Sequence, residues 1–415
     1  MSNSLSPEPM DADPCKDATP HGRRADTGSG NAAVKLSTFT WEPGAGWSAG
    51  ALPEADSPDT LVVALGDAAL AEEPGPIHEL VAAYPSSRVV GCSTSGQIAG
   101  TSLSDGTLAV AVARFERSRL RAASAPVSSP ADSRAAGRAL AEQLDDPSLR
   151  AVFVLSEGLG INGSELARGL NGRLGSSVVI TGGLAGDADR FERTWVLVDG
   201  QPRSGFVSAV GFYGDALRVG HGSKGGWDPF GPERLVTRAE GNVLFELDGK
   251  SALPLYKTYL GDLAADLPSS ALLFPLSLRA GREDERRVVR TILGVDEERG
   301  SMTFAGDVPQ GHLAQLMMAN FDRLVDGAGK AAEDCLNGAP SPGEPTLALA
   351  VSCVGRRLVL GERSEDEIAA TMDVLPAGTQ QIGFYSYGEL SPHVGDGGAC
   401  ELHNQTMTLT TLGER

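Results

Sequence analysis

The feature that most limits how this chain can fold is a weak internal repeat of strand, helix, strand and small-residue loop, found in three places. In the first, Leu61-Val-Val-Ala-Leu65 leads through a helix-like stretch around Ile77–Ala83 to Arg88-Val-Val-Gly-Cys-Ser-Thr-Ser-Gly-Gln97. In the second, Ala151-Val-Phe-Val-Leu155 leads through Ser164–Leu174 to Val178-Val-Ile-Thr-Gly-Gly-Leu-Ala-Gly-Asp187. In the third, Leu347-Ala-Leu-Ala-Val351 leads through Glu365–Met372 to Gln381-Ile-Gly-Phe-Tyr-Ser-Tyr-Gly-Glu389. Short continuous apolar runs bounded by turn residues read as buried strands, and strands alternating with helices imply βαβ-like units with a partly parallel sheet. β-rich segments at Thr107–Phe115, Thr194–Val198, Phe206–Phe212 and Thr406–Leu412 follow the loops and make the sheets mixed. The expected fold class is therefore α/β, with mixed β-sheets, flanking helices and two lobes of repeated strand-helix-strand units. Between the second and third units, Ser251 to Gly343 opens the second lobe. It is expected to hold a strand at Ala271–Leu278, a strand pair either side of Glu297–Gly300, and an amphipathic helix from His312 to about Leu336.

Residues 1 to 33 are rich in Ser, Pro, Asp and Gly, with almost no large apolar side chain to offset the entropy of ordering, and read as a disordered tail. They lack the basic and apolar regions of a secretory signal, and no apolar run approaches the ~20 residues of a membrane helix. The expectation is a cytoplasmic protein with no membrane contact. With 54 acidic against 35 basic residues the net charge is −19, so a phosphate backbone meets repulsion and nucleic acid is an unfavourable partner. The cysteines, Cys15, Cys92, Cys335, Cys353 and Cys400, are odd in number and scattered, with no C-x-x-C pair, which fits a reducing compartment.

Ligands of α/β sheets tend to sit beyond the carboxyl ends of strands, where small residues leave backbone N–H groups free. The repeat loops supply three such places. The first offers Gly91, Cys92, Ser93, Thr94, Gly96 and Gln97; the second Gly182, Gly183, Gly186 and Asp187; the third Tyr385 and Glu389. Amides, hydroxyls and carboxylates together suit a zwitterion such as an amino acid, although the same glycines also serve tight turns. Cys353 and Arg356, after the Leu347 strand, place a thiol beside a guanidinium that can grip a carboxylate. The repeat leads us to expect Arg356 and the Gly91–Gln97 loop at one pocket between the lobes. Gly158-Leu-Gly160-Ile-Asn-Gly163 matches a dinucleotide fingerprint, but Glu157 puts an anion where a pyrophosphate would lie and the next strand ends without a ribose-binding acid. No hydrolase, kinase or zinc signature occurs, so no catalytic or metal residue is assigned.

The series VVGCSTSGQIAG, GGLAGD, LVTRAEGNVLFELDGKSALPLYKTYLG after His221, VPQG, SCVGR, IGFYSYGEL and HNQTMTLTTL, running from Leu61 to Leu412, resembles the FIST family, named for F-box and intracellular signal-transduction proteins. The resemblance implies an N-terminal FIST domain over 34–250 and a C-terminal FIST domain over 251–412. It further implies a stand-alone bacterial sensor, not an enzyme, that binds a small ligand such as an amino acid and acts through a separate signalling partner such as a sensor kinase. No cofactor is expected. The alternatives are a haem-dependent nitric-oxide sensor, with His221 as axial ligand, and a thiol enzyme using Cys92 or Cys353.

Overall fold

The computed structural model describes residues 34–393 and 398–415. The tail expected over residues 1–33, with Cys15, lies outside the described residues. The three repeats become three mixed sheets with one strand plan. The first contains β1 (Lys35–Glu42), β2 (Thr60–Gly66), α1 (Gly75–Ala83), β3 (Arg88–Ser93), the hairpin β4 (Gln97–Ala99) and β5 (Ser102–Ser104), and β6 (Leu108–Arg114). The second contains β7 (Arg119–Pro126), α2 (Ser133–Leu144), β8 (Leu149–Ser156), α3 (Gly163–Leu174), β9 (Val179–Leu184), the hairpin β10 (Val196–Val198) and β11 (Gln201–Arg203), and β12 (Phe206–Tyr213).

The third repeat begins at β13 (Leu217–Lys224) and is interrupted at once by an insertion, Asp228–Met318. The insertion carries its own nine-stranded antiparallel sheet, α4 (Ala252–Leu260) and an apolar core around Leu253, Tyr256, Met302 and Phe304. The repeat resumes with α5 (Phe321–Cys335), β14 (Thr346–Cys353), α6 (Val354–Leu360), α7 (Ser364–Val374), β15 (Thr379–Ser386), the hairpin β16 (Gly388–Pro392) and β17 (Cys400–His403), and β18 (Met407–Glu414).

Strand order is β3-β2-β6-β1 in the first sheet, β9-β8-β12-β7 in the second and β15-β14-β18-β13 in the third, with the first two strands parallel in each case. The hairpin of each repeat does not stay in its own sheet. β4–β5 extends the third sheet beside β15, β10–β11 extends the first beside β3, and β16–β17 extends the second beside β9. The sheets turn their apolar faces to one core, which takes Val63 and Cys92 from the first, Phe153 and Phe212 from the second, and Leu349 and Phe384 from the third. Helices cover the outer faces, as with Leu166 and Leu170 of α3 and Ala328 and Ala331 of α5. Gly91, Gly182 and Gly383 hold equivalent places, each opposite a strand carbonyl (Ala64, Val154, Ala350) with which an added β-carbon would collide.

Two expectations in the insertion are corrected. Residues 312–336 are not one helix: Leu313–Met318 is a strand whose Leu316 and Ala314 pair with Leu276 and Leu278, and α5 starts only after Asn320, whose side chain accepts the N–H of Arg323. Ala271 lies in a 3-10 turn over Ser269–Leu273, and the strand is Leu276–Arg279. The strand pair flanking Glu297–Gly300 is present as Ile292–Asp296 and Ser301–Phe304. Residue 250, near which the N- and C-terminal domains are expected to divide, lies within the insertion, and β13 before it pairs with β18 in the third sheet.

Candidate functional site

The three repeat loops do meet, but they close on one another. Gly186 N–H donates to the Ser93 carbonyl, Ser95 N–H donates to the Tyr385 carbonyl while Tyr385 N–H donates to the Gly96 carbonyl, and Tyr387 N–H donates to the Leu184 carbonyl. Side chains complete the hub. Asp187 accepts the backbone N–H groups of Phe191, Glu192 and Arg193 (2.9–3.0 Å) and the Tyr387 hydroxyl, and these bonds keep its carboxyl below its ordinary range although burial pushes the other way. Ser93 accepts the Trp195 N–H, Thr94 takes the side chain of Gln97, and Gln97 in turn holds Thr107. Cys92 lies in the central core, where burial raises its thiol pKa. Gly96 faces the guanidinium of Arg357, Gly183 packs on Val351, and Gly186 packs on Ser95.

Arg356 does not face a pocket, contrary to the expectation drawn from its sequence position. It is 0% exposed, pairs with the equally buried Glu367 at 2.6 Å and donates to the carbonyls of Gly225 and Leu324. Tyr385 donates to the other oxygen of Glu367 at 2.7 Å, so this ion pair joins α6, α7 and β15. The arginine that reaches the first loop is Arg357, which bonds the Ser95 carbonyl and Asp105. Glu389 is also fully buried and accepts from Ser386 and Thr406; burial outweighs these bonds and pushes its pKa up to about 8.

Beside the hub lies a cavity of about 670 Å³, within the size range of small-molecule sites. The repeats contribute Gly158, Leu159, Ile161 and Asn162 from the loop before α3, Leu184 and Phe191, Tyr387, and Cys353 to Gly355 with Leu358. The insertion contributes Asn242, Leu272, Thr291 to Leu293 and Phe304 to Gly306. Of the predicted site residues only Cys353 is in this wall. The G-x-G-x-x-G loop is there too, though not as a phosphate cradle: the Glu157 carboxylate takes the Gly160 N–H and the Asn162 side chain caps α3 at Glu165.

The rim is apolar and open. Leu159, Phe191, Leu293 and Leu358 are 38–50% exposed, and Phe191 stacks on Tyr387 with ring centroids 4.6 Å apart. These residues come from four distant segments, and nothing in the local pattern of any one of them marks it. Inside, the Thr291 hydroxyl has no hydrogen-bond partner among the described residues, and the Cys353 thiol is held protonated, chiefly by burial. Among the described residues Asp189 is the one charged side chain of the wall, and no Lys, Arg or His lines it. His221 lies elsewhere, on β13, with its neighbours Gly220 and Gly222 packed against carbonyls of α5. Among the described residues no group of His, Cys, Asp and Glu is arranged to hold a metal, and no helix is long and apolar enough to cross a membrane.

No curated protein matches the chain. A solved structure, that of a cyanuric acid hydrolase from A. caulinodans, aligns at 12% identity over 72% of this chain and 99% of that one, but with a TM-score of 0.19, which carries no argument. The family comparison is direct. The FIST N domain matches residues 60–250 and the FIST C domain matches residues 252–392, together most of the length, so the chain belongs to the FIST family.

Proposed function

We propose that the protein is a sensor module whose ligand, a small and largely apolar molecule, occupies the cavity between the insertion and the threefold body, and that a separate signalling protein such as a sensor kinase reads its occupancy. FIST domains are associated with signal transduction and small-ligand sensing. The observation that carries this reading is the wall itself, which draws residues from both the FIST N and the FIST C regions beneath an apolar rim. A ligand there touches both regions at once and so has a means of biasing their arrangement.

The amino-acid-like ligand suggested by the loops depended on Arg356 as the carboxylate partner. With that guanidinium paired to Glu367 and no cationic side chain among the described residues of the wall, the geometry disfavours an anionic ligand, and because the acid of the wall, Asp189, is exposed to solvent, we favour an uncharged one. Binding rather than catalysis is favoured because Cys353, the wall's thiol, is protonated and has no base beside it in the lining. The free state of the four described cysteines suits an intracellular site of action.

A thermal-shift screen of neutral, cationic and anionic metabolites against the wild type and Leu293→Arg tests the reading. Leu293 is half exposed on the rim, so the variant should fold and admit charge at the mouth. The expected result is an uncharged hit that raises the wild-type Tm and is lost in the variant. A hit that stabilises both proteins alike would place the ligand elsewhere.

A further inference from the structure

The loop from Asp187 to Arg193, between β9 and β10, holds one aromatic ring at the mouth of the cavity. Its first residue is a buried carboxylate that accepts the N–H groups of Phe191, Glu192 and Arg193, so the chain winds about Asp187. The winding is strained. It places Ala188 at φ +66° and Phe191 at φ +53°, in the left-handed region that bulky side chains avoid. Of the residues other than glycine found there among the described residues, Phe191 is the one large apolar side chain. It is also 49% exposed, so packing of a core does not account for it.

The loop presents a fixed aromatic face. Phe191 lies on Tyr387 with the ring planes 14° apart, whereas the other ring pairs among the described residues meet at 49–73°. Tyr387 is itself immobilised. Its hydroxyl accepts the Asp187 N–H at 3.2 Å and donates to the Asp187 carboxylate, and its Cδ2 stands 2.9 Å from where a β-carbon of Gly158 would be. Asp187 thus sets both rings, and Phe191, Tyr387 and Gly158 all line the cavity. A parallel stack covers one face of Phe191 and leaves the other open.

Strained backbone of this kind persists where function requires the geometry. Aromatic rings pair well when offset and stacked, so the complement of an open, immobilised ring face is another flat ring. We infer that Phe191, backed by Tyr387 and positioned by Asp187, is a stacking platform for a planar, uncharged ring of the ligand. The insertion supplies Leu272, Ile292 and Leu293 to the same lining for the apolar remainder. This inference rests on the cavity reading above and adds the shape of the ligand to it. A ring face also attracts cations, which makes a cationic ligand the competing case.

Three probes of equal carbon number separate these cases: benzyl alcohol, cyclohexylmethanol and cyclohexylmethylamine, titrated by calorimetry against the wild type, Phe191→Leu, Phe191→Tyr, Phe191→Gly and the rim variant Leu293→Arg. Benzyl alcohol should lose about fivefold in affinity in Phe191→Leu and keep it in Phe191→Tyr, while cyclohexylmethanol changes by less than about twofold in either. Its ring protons should move upfield in NMR spectra on binding the wild type and Phe191→Tyr, and not on binding Phe191→Leu. Phe191→Gly relaxes the left-handed backbone, so it should melt within about a degree or two of the wild type and yet bind the alcohols as Phe191→Leu does. A ring that only seals the hub would give the reverse, a clear fall in Tm with the ratio of the two alcohols unchanged. Equal loss of both alcohols in Phe191→Leu, or a preference for the amine that depends on Phe191, overturns the platform; weakening of both alcohols in Leu293→Arg then leaves the cavity reading standing. Failure of every probe to bind the wild type, or binding that Leu293→Arg does not weaken, counts against both.

Discussion

The hub of three loops and the cavity beside it share neighbouring residues, yet differ in how their polar groups are used. In the hub, Asp187, Ser93, Gln97 and Tyr385 are each satisfied by the chain itself. In the cavity, the Thr291 hydroxyl has no partner among the described residues, and four large apolar side chains stand open at the rim. Glycines and hydroxyls at strand ends thus mark a ligand site only where the backbone amides stay free. Here they knit three sheets together, and the proposed binding site lies instead at the seam where the insertion meets them.

The sharpest test of that contrast is Arg356. If it is structural, Arg356→Ala leaves Glu367 buried without its partner and should lower the unfolding free energy by about 3–5 kcal/mol in urea titrations. Arg356→Lys should also destabilise, since a point charge cannot replace the planar fork. A stable variant that loses ligand affinity would return the site to the hub. Next in size, Gly182→Ala brings a β-carbon onto the Val154 carbonyl at a backbone φ of +143°, and a loss on the order of 3 kcal/mol is expected, with no effect specific to ligand.

Two buried titratable groups give opposite pH slopes. Glu389, raised to about 8, favours the fold when protonated; its contribution is complete below about pH 4.5 and is lost as pH rises through 8. Glu389→Gln should therefore flatten the loss of stability between about pH 4.5 and 8. His403 is lowered to about 4 by burial and bonds the Ser391 carbonyl, so its contribution is present above pH 6.5 and lost as pH falls toward 4. His403→Gln should flatten the acid limb in the same melts, and slopes unchanged by these variants would show that other groups set them. The smallest effect on stability belongs to the rim. Phe191→Ala removes one half-exposed ring stacked on Tyr387 and should cost about 1 kcal/mol or less, while weakening an uncharged hit from the thermal-shift screen by several-fold in calorimetry.

Much of the fold was readable in advance because its signal is local. The runs Leu61–Leu65, Ala151–Leu155 and Leu347–Val351 are buried strands, each followed by a helix and a parallel partner. The Leu313–Met318 strand was hidden because its apolar residues run straight on into those of α5, and only pairing with Leu276–Arg279 separates the two periods. The meeting of the repeat loops was legible as well, but its meaning was not. Whether an amide is free depends on which distant carbonyl lies opposite, and Ser95 and Tyr385 are almost 300 positions apart. The rim was the least readable part, since Leu159, Phe191, Leu293 and Leu358 are unremarkable until four segments are brought together.

The exchange of hairpins among the sheets limits how a bound ligand can be reported. To slide one repeat against another would break main-chain pairs such as Ile382–Ala99, Val196–Cys92 or Gly183–Glu389, so the ring resists internal motion. The insertion is held differently: it leaves the ring at Lys224 and rejoins it at Phe321, and it meets the ring through side chains, as in the bonds of Asp307 to Arg168 and Asn162, the bond of Arg290 to the Leu402 carbonyl, and the packing of Leu273 and Met317 with Leu324 and Val359. A message that requires movement is therefore cheapest to send as a tilt of the insertion on a fixed ring, and the surface that a partner must watch is the one whose outline changes with that tilt.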